Sequence, residues 1–116
     1  MPGMGTVFDR EEMARRLGND DGMLREIVSV YLQDTVPQIA QLKSANREQH
    51  MEPLLRISHT IKGSSANVAA REIEHIAARI EHAARTGEID GISVLVVELE
   101  DAFTRFHQEI AGWLQA

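Results

Sequence analysis

The stretch Leu54-Leu55-Arg56-Ile57-Ser58-His59-Thr60-Ile61-Lys62-Gly63-Ser64-Ser65-Ala66-Asn67-Val68 decides the fold. At about 100° per residue, Leu54, Ile57, Ser58, Ile61, Ser65 and Val68 gather on one side of a helix. His59 points about 155° away from the centre of that stripe, so the geometry that buries one face puts the imidazole in water. Lys62 and Gly63, at i+3 and i+4, border the ring on the outer surface. An imidazole beside a cation and a glycine adds little to packing and is well suited to receive a phosphoryl group.

The same helical period recurs on either side. Asp9 caps a short first helix, with Glu12 at the N3 position of a capping box, Phe8 and Met13 as a hydrophobic staple, and Gly18 closing it. A second helix starts around Asn19 or Asp20 and carries Leu24, Ile27, Val28, Tyr31, Ile39 and Leu42. Pro37 lies within it and is expected to kink it. The polar run 44–51 contains the next connection, and Pro53 fits the first turn of the His59 helix, which runs to about Asn67. From Ala70, the residues Ile73, Ile76, Ala77, Ile80 and Ala84 mark a fourth helix ending before Thr86-Gly87. The last begins near Asp90 and carries Ile92, Leu95, Leu99, Phe103, Phe106, Ile110 and Trp113. No segment alternates with period 2, and short links between long helices favour an all-α, antiparallel up-down four-helix bundle with the short N-terminal helix as a cap.

The composition agrees with this architecture. A chain of 116 residues, 43% hydrophobic, suits one domain, placed over 7–116 behind a flexible leader at 1–6. Aromatic residues make up only 4%, so aliphatic side chains must fill the core. The absence of cysteine excludes disulfides and thiol-ligated metal and suits a reducing cytoplasm. A net charge of −6 argues against nucleic-acid binding. No apolar run approaches the roughly 20 residues of a membrane span, and no signal peptide is evident. The expected location is cytoplasmic, either standing alone or as the cytoplasmic domain of a membrane-bound kinase.

Taken singly, these residues have plainer readings. Lys62 alone is a surface charge, Gly63 a tolerated helix blemish, and Glu81 an ordinary surface acid. Ser64 and Ser65 serve close packing or bond back to the preceding turn. His50, His75, His82 and His107 invite a metal reading, but a di-iron bundle needs paired Glu-x-x-His segments. Only Glu72-x-x-His75 fits, so no metal is expected. No Gly-rich phosphate loop or nucleotide signature is found, which argues against ATP-dependent kinase activity in this chain.

The run His59-Thr60-Ile61-Lys62-Gly63-Ser64-Ser65, followed by an apolar residue and a small pair, resembles the signature of histidine-phosphotransfer (HPt) domains. The resemblance extends from Phe8-Asp9 to the last helix, and the Ser-Ser form resembles the modules of multistep phosphorelays and hybrid sensor kinases. It implies a phosphohistidine carrier, not an enzyme in its own right. His59 would take a phosphoryl group from an aspartyl-phosphate receiver domain and pass it to another receiver. Lys62 would neutralise the phosphate and Gly63 would leave room for the partner. Glu81 falls where some members place a side chain that hydrogen-bonds the imidazole. Leu55 and Ala66 share the His59 face and would form an apolar docking rim, with Glu81 beside it. The implied partners are response-regulator receivers and a sensor histidine kinase. No cofactor is expected on this chain, since Mg²⁺ belongs to the receiver. One departure is that the family's usual glycine in the following link is Ala69 here. The alternative is a helical adaptor that binds receiver or kinase domains without being phosphorylated.

Overall fold

In the computed structural model, which describes residues 9–114, five helices follow one another and no strand occurs among those residues. They are α1 (Arg10–Leu17), α2 (Asp21–Arg47), α3 (Met51–Asn67), α4 (Arg71–Thr86) and α5 (Ile92–Leu114). The leader expected over 1–6, and Phe8 of the expected staple, lie outside the described residues. Asp20 caps α2 by accepting from the Met23 N–H at 3.1 Å. Pro37 sits inside α2 without ending it. α4 takes in Thr86, one residue beyond the expected end, and closes on Gly87, whose φ of 78° is the left-handed conformation that glycine tolerates.

α3 packs against α2 and α4, α4 against α5, and α5 returns to α2, so the four long helices form a closed ring. α1 rests on α2 and α3. Leu54, Ile61, Ile73, Ile80, Leu99 and Phe106 are fully buried between them, and burying each such side chain stabilises by roughly 1.5–3 kcal/mol. The stripe read from α3 is on the inside as expected: Leu54, Ile57, Ser58, Ile61, Ser65 and Val68 are all buried. Ser58 donates back to the Leu54 carbonyl at 2.7 Å, and Ser65 bonds the Tyr31 hydroxyl of α2 at 2.7 Å.

The capping box of α1 forms only in half. Asp9 Oδ1 accepts from the Glu12 N–H at 3.0 Å, but the Asp9 N–H donates to the Ala69 carbonyl at 3.2 Å. The Glu12 carboxylate is held instead by Arg16 and Arg71. The spacing that reads as a local cap thus fastens α1 to the link between α3 and α4. Ala69, in that link, is fully buried and has a φ of 56°.

Candidate functional site

The link over 68–70 is short enough to return α4 alongside α3, which sets Glu81 of α4 opposite His59 of α3. The His59 side chain is 65% exposed, while that of Glu81 is 4% exposed. Reading Glu81 as an ordinary surface acid, or as part of an exposed rim, is therefore incorrect. Position 81 lies at the edge of the apolar face of α4, between Ala77 and Ala84, and the packing of α3 covers it.

Three donors converge on this carboxylate. His59 Nδ1 lies 2.8 Å from Oε2, Arg85 donates to the same oxygen at 2.9 Å, and Lys62 Nζ lies 2.7 Å from Oε1. Burial pushes the Glu81 carboxyl up, but the bonds from Lys62, His59 and Arg85 outweigh it and hold the group at about 2. An ionised carboxylate only accepts hydrogen bonds, so Nδ1 must carry the proton. In a neutral ring the lone pair is then on Nε2, which has no protein partner among the described residues. With the imidazole neutral, the carboxylate and two cations leave the cluster with one net positive charge.

Gly63 follows one turn after His59, and a Cβ there would meet nothing within 4 Å. Ala66 is half-buried farther along α3. Leu55 is also half-buried and packs in part against the core, so only a portion of it faces outward. Lys62 is not a loose surface charge, because its ammonium is committed to Glu81. Sequence reasoning missed Arg85. The available signal was the Glu81-x-x-x-Arg85 spacing, which pairs opposite charges one turn apart on a helix.

Among the described residues, no group of three or more His, Asp or Glu side chains is arranged to hold a metal ion. Nor is any helix there long and apolar enough to cross a membrane.

A family model described as the Hpt domain matches residues 26–109. The chain belongs to the Hpt domain family. Its family's work is histidine phosphotransfer in two-component phosphorelays. Among solved structures, the histidine-containing phosphotransfer protein B (HptB) from Pseudomonas aeruginosa PAO1 superposes with a TM-score of 0.87 at 19% identity. That likeness covers 94% of this chain and 95% of HptB, and shows that the two share the Hpt fold. No curated protein matches the sequence. The matched Hpt segment contains the whole His59–Lys62–Glu81–Arg85 cluster and omits α1.

Proposed function

We propose that the protein is a phosphohistidine carrier in which Nε2 of His59 accepts a phosphoryl group from the aspartyl phosphate of one receiver domain and yields it to another. The observation that carries this reading is the Nδ1–Glu81 bond at 2.8 Å beneath an exposed ring. The Nε2 lone pair attacks phosphorus, the N–P bond forms, and the P–O bond to the receiver's aspartate breaks. The electron pair stays on the departing carboxylate. Nδ1 keeps its proton, so the phosphorylated ring is formally cationic, and the Glu81 carboxylate lies against that charge. Reversal of the same displacement hands the group to the next receiver's aspartate. Phosphoryl transfer needs positioning and charge more than covalent assistance, and Lys62 supplies positive charge where the phosphoryl oxygens arrive.

This division of labour leaves Mg²⁺ and the acidic residues with the receiver, and the chain acts as a transfer intermediate with no kinase core or cofactor of its own. The unit is a single domain over 7–116, an antiparallel up-down bundle of the four long helices capped by α1, working in the cytoplasm with receivers and a sensor histidine kinase as partners. Gly63 and the outward part of Leu55 and Ala66 form the surface a receiver approaches.

His59→Gln tests the reading. We expect the variant to accept no phosphate from a phosphorylated receiver while melting as the wild type does, because an exposed substitution usually changes stability by less than about 0.5 kcal/mol. Acid-labile phosphate on that variant would overturn the site. Wild-type protein that binds receivers yet takes no phosphate from a phosphorylated one would support the adaptor instead.

A further inference from the structure

Glu81 offers two oxygens to three donors, and they are not shared evenly. Lys62 takes Oε1 alone, whereas Oε2 accepts both from His59 Nδ1 at 2.8 Å and from Arg85 at 2.9 Å. The guanidinium nitrogen and Nδ1 are therefore about 6 Å apart at most, within the range where one charge alters its neighbour's titration. Arg85 reaches this oxygen from the next turn of α4, with its own side chain 60% exposed.

A carboxylate against an imidazole has two opposed effects. It fixes Nδ1–H, which frees Nε2 for attack. It also favours the doubly protonated imidazolium, which has no lone pair to attack with. A guanidinium on the shared oxygen withdraws part of its negative charge and repels a second proton on the ring.

We propose that Arg85 is a positioning residue for transfer at His59: by sharing Oε2 of Glu81 with Nδ1, it moderates the carboxylate's pull and keeps the ring singly protonated and nucleophilic. This rests on the reading of His59 as the acceptor. Of the surrounding charges among the described residues, only Arg85 sits on the oxygen that Nδ1 bonds. On α3, Arg56 stands one turn before His59 and pairs with Glu52, while Lys62 occupies the other oxygen of Glu81. On α4, His82 lines the groove toward α5. From the other helices packed on α3, Tyr31 of α2 is bonded to Ser65 on the buried side, and Glu12 of α1 is held by Arg16 and Arg71.

The test compares wild type, Arg85→Ala and Arg85→Lys. Phosphate acceptance from phosphoramidate is followed between pH 5 and 9, and the ¹⁵N-labelled His59 ring is titrated by NMR without any donor. For Arg85→Ala we expect the acid limb of the rate profile to move to higher pH by about half a pH unit or more. The plateau at high pH should stay within about twofold of wild type. The ring titration should move in parallel, and Arg85→Lys should restore most of both. A plateau lowered at every pH with an unmoved ring titration would overturn the proposal in favour of direct contact with the phosphoryl group. No change in either measurement would reduce Arg85 to a surface charge. Because the ring titration uses no donor, it reads the Arg85–Glu81–His59 coupling even if phosphate is found on another residue. That second finding would sink the acceptor reading alone.

Discussion

Tyr31 and Glu81 are both buried polar side chains that bond across to α3, and they meet burial in opposite ways. Tyr31, on the α2 side, faces Ser65 and the ring of Phe106, which lies edge-on at 5.4 Å. Burial pushes its hydroxyl up to about 12, and the bonds to Ser65 and Thr35 offset only part of that. It stays neutral at any ordinary pH. Glu81, on the α4 side, is pushed up by burial as well, yet the bonds from Lys62, His59 and Arg85 bring it to about 2. A neutral pair can be sealed inside and fixes how two helices register. A buried anion has to be ringed by donors, and here those donors reach it from the solvent side. The inner seam of α3 is thus polar for packing, and the outer seam carries the polar cluster proposed for transfer.

The strongest way to break this contrast is Glu81→Gln. Phosphate acceptance by His59 should fall by about a hundredfold, since the variant no longer balances the cationic ring. Stability should change with pH in a defined direction. The folded carboxyl lies near 2 against an ordinary value of 4.5, so its ionised form stabilises the fold fully above 4.5 and loses that effect as pH falls through 2. The contribution at neutral pH is on the order of 3 kcal/mol. Urea midpoints should favour the wild type at pH 7 and nearly converge at pH 2. An equal gap at both would show that the charge of Glu81 is not what stabilises.

Tyr31→Phe sharpens the contrast from the other side. It deletes the bond to Ser65 and leaves that buried hydroxyl short of a partner, at a cost of about 1–2 kcal/mol. Acceptance by His59 should be unchanged in single-turnover transfer. A matching loss of acceptance would mean that the two seams of α3 are coupled.

These two residues also mark how far the sequence could be read. The inner seam was legible, because the period of Leu54, Ile57, Ile61 and Val68 identifies the buried face of α3 and its end at Asn67 without reference to other helices. The outer seam was legible only in part. His59, Lys62 and Gly63 belong to one helix and one local motif. The burial of Glu81 depends on how α4 lies against α3, and the edge of an apolar stripe faces either water or a neighbour according to that packing alone. Glu12 shows the same limit. Its spacing from Asp9 fits a capping box, but Arg71, distant in sequence, takes its carboxylate.

Gly63 separates stability from access on the outer seam. With open space around a Cβ, Gly63→Ala should raise stability by up to about 1 kcal/mol, as expected for an exposed helix interior. Gly63→Gln should remain folded, yet accept phosphate more slowly from a receiver than from a small donor, because the longer side chain would stand in the surface proposed for receiver docking. Equal rates from both donors would remove the need for clearance at this position.

The smallest effect is expected at Ala69, the one buried residue of the α3–α4 link with a left-handed backbone. An alanine there carries a conformational penalty of about 1–2 kcal/mol that glycine would relieve. Two costs oppose that relief. Glycine adds freedom to the unfolded chain, worth about 0.4–1 kcal/mol, and Ala69→Gly removes a fully buried methyl, worth about 0.8 kcal/mol. The terms nearly cancel, so chemical denaturation of Ala69→Gly should fall within about 1 kcal/mol of wild type. The bond from the Asp9 N–H to the Ala69 carbonyl uses backbone atoms only and should survive the change. Ala69→Val is the counterpart, since a β-branched side chain at positive φ in a filled site should cost more than about 2 kcal/mol. A gain well above 1 kcal/mol for Ala69→Gly would show that the buried methyl contributes little and that the link is strained. A loss of that size would show that the methyl, packed where α1 meets the link, outweighs the backbone conformation it requires.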